Sequence, residues 1–220
     1  MSTQEIRIQN ARVEDSPQIQ KILAALYALD PHDGEFEMMS ADTLAQHIRR
    51  FPQGQFVARC GQQVMGFALT MLTAYSPYAQ TRCWLDAIGG FEIRHHDPNG
   101  EWLYGVDCAI EPSHRGKGIG TALYDARFAF IEKANLRGFF AGGMLMGYQR
   151  YSDTMTISEY ADKVMRREIY DPTVTMQMNR GFTTHGLIEN YTPDLPPLNH
   201  AVHIIWENPR YSEPRSRATA

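Results

Sequence analysis

The sequence is short of cysteine, of basic charge and of long apolar runs, and each shortage removes a class of protein. Its three cysteines, at 60, 83 and 108, are odd in number and far apart. That pattern fits neither a disulfide framework nor a CxxC zinc site. Lys and Arg number 21 against 25 Asp and Glu, a net charge of −4. The field that attracts nucleic acid or anionic lipid is therefore missing. No stretch approaches the roughly 20 apolar residues of a membrane span. The opening MSTQEIRIQN also lacks the apolar core of a signal peptide. No segment repeats at a period of about 20–50 residues, which excludes solenoids and propellers. His95-His96-Asp97 and His200-x-x-His203 have no third ligand nearby in sequence, so no metal site is expected. These absences predict a soluble, cytoplasmic protein without nucleic-acid or membrane partners.

What the chain has is an ordinary core-forming composition, 43% hydrophobic and 21% charged over 220 residues. A chain of that length buries roughly 70% of its unfolded surface and needs no covalent staple. Ile6, Ile8 and Ala11 alternate as in a short strand. Ser16 reads as the N-cap of a helix in which Ile19, Ile22, Leu23, Leu26 and Leu29 share a face. PHDGE at 31–35 is turn chemistry, and Ser40 opens a second helix that stops near Pro52. QFVARC and QVMGFALTMLT flank Gly61-Gln62-Gln63 as a hairpin. Strands at WLYGVDCAIEP and LRGFFAGGMLMG enclose a helix at TALYDARFAFIEKAN. A helix at SEYADKVMRREIY, another starting at Asp171-Pro172, a turn at Gly181 and two strands complete the order. This order predicts one α/β or α+β domain over 1–208 and a polar, mobile tail over 209–220.

Residues 75–100 interrupt that order with mixed polarity, Gly-Gly and Asp-Pro-Asn-Gly. Loops longer than about 15 residues in compact domains are commonly functional. The segment reads as an insertion or lid, with a strand around FEIRHH.

The informative stretch is Arg115-Gly116-Lys117-Gly118-Ile119-Gly120-Thr121, between a buried strand and an amphipathic helix. Alternating glycines allow positive φ and close approach of a ligand to the backbone. Their N–H groups and the helix N-terminus make a nest for anionic oxygens, with Arg115 and Lys117 adding charge. A Walker A loop is excluded because no Lys-Ser/Thr pair follows. The dinucleotide fingerprint is disfavoured because Thr121 stands where its third glycine belongs, which leaves a nucleotide-binding protein for NAD or ATP as a third, less favoured reading.

This turn resembles the R/Q-x-x-G-x-G/A signature of the GNAT N-acetyltransferases. Cys108-Ala109-Ile110 with Pro112 resembles the family's fourth strand, and Asn179-Arg180-Gly181-Phe182 its late Gly-Phe. GGMLMGYQRY, the stretch from Ile157 to Phe182, and IENY resemble acetyltransferase modules sometimes joined to a carbon–nitrogen hydrolase. The resemblance implies a central mixed, mainly antiparallel sheet with the fourth and fifth strands splayed apart and helices on both sides. It implies acetyl-CoA as cosubstrate, with Cys108, Ala109 and Ile110 along the pantetheine arm. Arg115, Gly116, Lys117, Gly118, Ile119, Gly120 and Thr121 are then expected to hold the pyrophosphate. The activity implied is direct acyl transfer, acetyl first among acyl groups, to an amine on a small molecule or a protein. The rival reading is a CoA-binding sensor of the same fold without turnover. A homodimer is left open.

For the chemistry, Asp107 is the one carboxylate within the apolar strand and is the candidate base, ahead of Tyr104 and Glu111. Many family members have a tyrosine four residues before the glycine of Gly-Phe; here that residue is Gln177. Tyr148 and Tyr170 are the candidate replacements for protonating the leaving thiolate. Cys108 is expected to pack rather than attack. Tyr75, Tyr78, Trp84 and Phe91 of the insertion, with Asp86 and Glu92, are expected to receive the amine.

Overall fold

A computed structural model describes residues 5–27, 39–79, 83–192 and 199–213. The turn expected at 31–35 lies outside the described residues. Strands β1 (Arg7–Asn10), β2 (Phe56–Cys60), β3 (Gln63–Thr73), β4 (Trp102–Ile110), β5 (Gly138–Met144), β6 (Thr183–Ile188) and β7 (Ala201–Glu207) form one sheet. Their order is β1-β2-β3-β4-β5-β7-β6. Every pairing is antiparallel except β4 with β5. β3 is apolar along nearly its whole length because helices cover both of its faces, so no alternation is visible in its sequence.

Helices α1 (Ser16–Tyr27) and α2 (Ala41–Arg50) cover one face, where Ile19, Leu23 and Leu44 meet Phe67, Leu69 and Met71 of β3. Ser40 caps α2, accepting the Thr43 N–H at 3.1 Å. Ser16 does not cap α1. A 3-10 turn at Val13–Asp15 runs directly into that helix, and the Asp15 carboxylate accepts the Arg12 N–H at 2.9 Å. On the opposite face lie α4 (Ile119–Lys133), α5 (Ile157–Met165) and α6 (Val174–Asn179), packed on Leu103, Phe139 and Ile204. The α6 start is held by Asp171, whose carboxylate takes the N–H groups of Thr173 and Val174 at 2.8 and 2.9 Å.

The 75–100 insertion contains one short helix, α3 (Trp84–Ile88), and turns in place of the expected strand at FEIRHH. Two causes are local. Gly89 at φ +75° ends α3, and Ile93 sits at φ +46° with its side chain fully buried. The carbonyls of Glu92 and Ile93 accept from Arg50 of α2 at 2.8 and 3.1 Å instead of from a strand. The described part of the expected tail, residues 209–213, makes contacts, while 214–220 lie outside the described residues. The Ser212 N–H donates to Asn135 at 3.0 Å, and Glu213 pairs with Arg137 at 3.2 Å.

β5 runs through a narrow place. A Cβ built on Gly142 would stand 2.3 Å from the Tyr191 ring, and one on Gly143 would stand 2.4 Å from Gln177 Oε1. Tyr191 is held there by its hydroxyl, 2.9 Å from that of Tyr104 and accepting the Gly142 N–H at 3.2 Å. Gly142→Ala should therefore cost about 1–3 kcal/mol of overpacking. A denaturant midpoint that falls at constant m checks this; an unmoved midpoint would show that Tyr191 yields freely.

Candidate active site

The glycine turn takes the shape its sequence requires. Gly116 and Gly118 sit at φ +74° and +78°, a region open to glycine, and Gly118 is the N-cap of α4. No side chain caps that helix, so its first N–H groups face outward. A Cβ placed on Gly116, Gly118 or Gly120 meets nothing within 4 Å. The open space in front of this backbone is a cradle of the kind a pyrophosphate fills. Arg115 and Lys117 stand exposed beside it.

Downstream of this turn the sheet opens. Pairing between β4 and β5 ends at Tyr104 with Phe140, while β5 continues on β7 to Met144. The β4 edge from Gly105 to Ile110 thus lacks a strand partner on the β5 side. A bulge lies at the same point: Asp107 pairs with Leu69 of β3 but Gly105 pairs with Thr70, leaving Val106 as the extra residue. The bulge resets the alternation that the bare sequence suggests. Asp107 shares the α1–α2 face with Tyr104 and Ala109, and Cys108 turns toward α4 with Gly105 and Ile110. The displaced Val106 carbonyl accepts the indole N–H of Trp84 at 2.7 Å, which fastens α3 to the bulge.

A cavity of about 260 Å³ passes through this opening. On the α1 side Leu23, Met39, Trp84, Leu85 and Phe91 wall it; on the α4 side, Gly120, Tyr124, Arg127, Met176 and Gln177. Asp107 and Cys108 lie in between. Burial pushes the Asp107 carboxyl up to about 7, partly opposed by the Cys108 N–H it accepts at 2.7 Å. Burial also raises the Cys108 thiol, an effect the nearby Arg127 charge partly offsets. Tyr124 is likewise raised by burial, and the Gln177 amide donates to its hydroxyl at 2.9 Å. Arg127 is 2% exposed, with its guanidinium carbon 4.0 Å from the Tyr124 ring centroid and 5.0 Å from that of Phe139.

Of the residues expected at the site, the structure brings Asp107, Cys108, Ile110 and Gly120 to the cavity wall. Arg115, Gly116, Lys117, Gly118, Ile119 and Thr121 form the adjoining turn and first helical residues, while Ala109 points into the α1–α2 core. Tyr148 and Tyr170 are elsewhere. The Tyr148 hydroxyl donates to the Met155 carbonyl at 3.2 Å, and Tyr170 is 68% exposed. Within the insertion, Trp84 and Phe91 line the cavity. Tyr75 donates to the Ala87 carbonyl, Tyr78 to Glu207, and Glu92 pairs with Arg94. Sequence reasoning missed Tyr124, Arg127 and Tyr191. The signal for the first two was present, since Gly120, Tyr124 and Arg127 follow one another at helical spacing from the glycine turn. Among the described residues no group of three or more His, Cys, Asp or Glu side chains converges to hold a metal, and no helix is long and apolar enough to cross a membrane.

Residues 18–142 match the model of the acetyltransferase (GNAT) family, and the chain belongs to that family. It is 32% identical over 176 residues to the probable hydrolase YhcX of Bacillus subtilis, a match covering 80% of this chain and 34% of YhcX. The chain thus spans about a third of that relative. It is 27% identical to the uncharacterized N-acetyltransferase YkwB of the same organism, over 80% of this chain and 78% of YkwB. A GNAT-like decarboxylase, GphF in complex with isobutyryl-CoA, shares the fold at a TM-score of 0.75 and 19% identity, over 92% of this chain and 99% of that one.

Gly118→Asp places a carboxylate where phosphate oxygens would approach. It should weaken CoA binding at least 100-fold, about 2.8 kcal/mol, in a variant that still folds. Isothermal titration decides it; undiminished affinity would remove the turn from the binding site.

Proposed function

We propose that the chain is an acyl-CoA-dependent N-acyltransferase, with acetyl the simplest acyl group, acting on an amine of a small molecule or a protein in a ternary complex. One observation supports this above the others. A single cavity joins the open glycine cradle to a carboxyl group held near 7, through the gap between two parted strands.

Pantetheine laid in that gap would pair with the free β4 edge between Gly105 and Ile110, as a missing strand would. When bound, acyl-CoA supplies the activated thioester carbonyl. The N–H groups of the same edge are suited to hold the oxyanion of a tetrahedral intermediate; such donors are worth about 3–4 kcal/mol each. The amine enters from the apolar wall of Leu23, Met39, Trp84 and Phe91, and Asp107 on that face takes its proton. Tyr124, hydrogen-bonded to the glutamine that stands at the usual tyrosine position, faces the departing sulfur from the other side. Its raised pKa keeps the phenol protonated and able to donate. Cys108 remains a packed thiol.

The base works as carboxylate, so activity should rise with pH through about 7 and fall as Asp107 is protonated below it. Asp107→Asn should remove that limb and lower kcat/KM by about 10²–10⁴. The stability effect has the opposite sign. A carboxyl raised from 3.8 favours the fold most below that value and loses the benefit as pH rises through about 7. Asp107→Asn should thus gain stability over wild type across that window. Thiol release with acetyl-CoA over an amine panel, as a function of pH, tests the reading. Acyl-CoA binding without turnover on any amine would favour the sensor. A limb that persists in Asp107→Asn would move the base elsewhere.

A further inference from the structure

Arg127 is the largest side chain the fold buries almost completely, and none of the ion pairs among the described residues includes it. Its Nε donates to the Leu123 carbonyl at 3.1 Å, and Nη2 reaches Cys108 Sγ at 3.7 Å, a weak acceptor. Two aromatic faces, Tyr124 and Phe139, partly replace lost water. A guanidinium has five N–H donors. Arg127 also hydrogen-bonds the Tyr124 side chain, so all its hydrogen-bond partners among the described residues are neutral and none is a carboxylate. Burying an ion costs several kcal/mol unless an opposite charge or a full set of hydrogen bonds compensates. The cavity is where that compensation can come from, because Arg127 lines it.

Its place in the cavity narrows the choice of anion. Gly120, Tyr124 and Arg127 lie at i, i+4 and i+7 on α4, a stripe about 10 Å long from the phosphate cradle inward. The stripe ends beside Phe139 and Cys108, next to the residues where β4 and β5 part. Asp107 belongs to the opposite face of the sheet. The cleft therefore has a carboxylate on the side from which an amine attacks and a cation on the side toward which the leaving group departs.

We propose that Arg127 is the anion subsite for the thiolate of CoA, so that sulfur leaves this enzyme as a charge-paired anion instead of awaiting a proton from the tyrosine that Gln177 replaces. This rests on reading the cavity as the acyl-CoA channel. In the step, the amine lone pair forms the N–C bond and the C–S bond breaks. Both electrons of that bond go to sulfur, and the amine proton goes to the Asp107 carboxylate. Tyr124 keeps its proton and donates a hydrogen bond, while Arg127 supplies the charge. The other titratable groups facing this point are Cys108 on β4 and Tyr191 beyond β6, both with ionisation disfavoured by burial.

The test needs no acceptor. CoA and desulfo-CoA, which lacks the sulfur, are titrated calorimetrically into the whole protein between about pH 6 and pH 9. Titrations of groups away from the sulfur affect both ligands and cancel in the ratio of their affinities. Ionisation of Asp107 or Cys108 beside the sulfur would disfavour a thiolate and lower the ratio, opposite to the rise sought. Thiolate capture predicts that the ratio rises toward high pH; a bound thiol lowered by about one unit makes the rise approach about tenfold once pH exceeds the free thiol's pKa. Arg127→Met should flatten the rise, and Arg127→Lys, which keeps the charge without the planar fork, should retain part of it. If Arg127→Met does not fold, Arg127→Gln takes its place, and a flat wild-type ratio overturns the subsite by itself. A ratio that is flat or falling in wild type, or a rise unchanged in Arg127→Met, overturns the subsite while leaving the channel intact. Failure of both ligands to bind overturns the channel and the subsite together.

Discussion

An unpaired strand edge inside a sheet is the constraint on which the rest of this structure depends. Backbone N–H and C=O groups that leave water need partners, and the β4 edge from Gly105 to Ile110 has no strand to supply them. β5 does not close the gap: beyond Phe140 it pairs with β7 alone, as far as Met144. The bulge at Val106 makes a second unsatisfied carbonyl, and Trp84 reaches across from α3 to take it. The insertion is thus the piece that completes the bulge on one side and walls the cleft on the other. Tyr191, wedged over Gly142 and bonded to Tyr104, braces the two parting strands.

The opened sheet also keeps two buried charges apart. Asp107 and Arg127 line the same cavity, yet they belong to opposite faces, because the bulge places Asp107 with Leu69 and leaves Cys108 facing α4. Kept apart, the carboxyl is pushed up to about 7 and the guanidinium bonds only neutral groups among the described residues. Gln177 belongs to the same arrangement. It fills the space opposite Gly143 and donates to the Tyr124 hydroxyl, which brings a phenol from α4 beside Gln177.

Much of this was legible in the sequence, and the rest was hidden for identifiable reasons. The glycine turn could be read because positive φ at Gly116 and Gly118 leaves a compositional mark. The strands and main helices could be read from periodicity and from Ser40. The FEIRHH stretch misled because its β-rich composition is overridden by Arg50 taking two of its carbonyls, a contact across 42 or more positions. The facing of Cys108 could not come from alternation, since one extra residue reverses it. Tyr148 and Tyr170 attracted notice through position alone. Tyr124 and Arg127 escaped it because, in a helix with apolar residues on several faces, they read as ordinary packing until the sheet opens beside them.

Hydrogen exchange read by mass spectrometry, with and without CoA, tests the central claim most directly. If the parted strands are the ligand channel, CoA should protect the peptides covering Gly105–Ile110 and Gly116–Thr121, while β1–β2 peptides stay unchanged. Protection confined to other segments, or none at saturating CoA, would contradict the account.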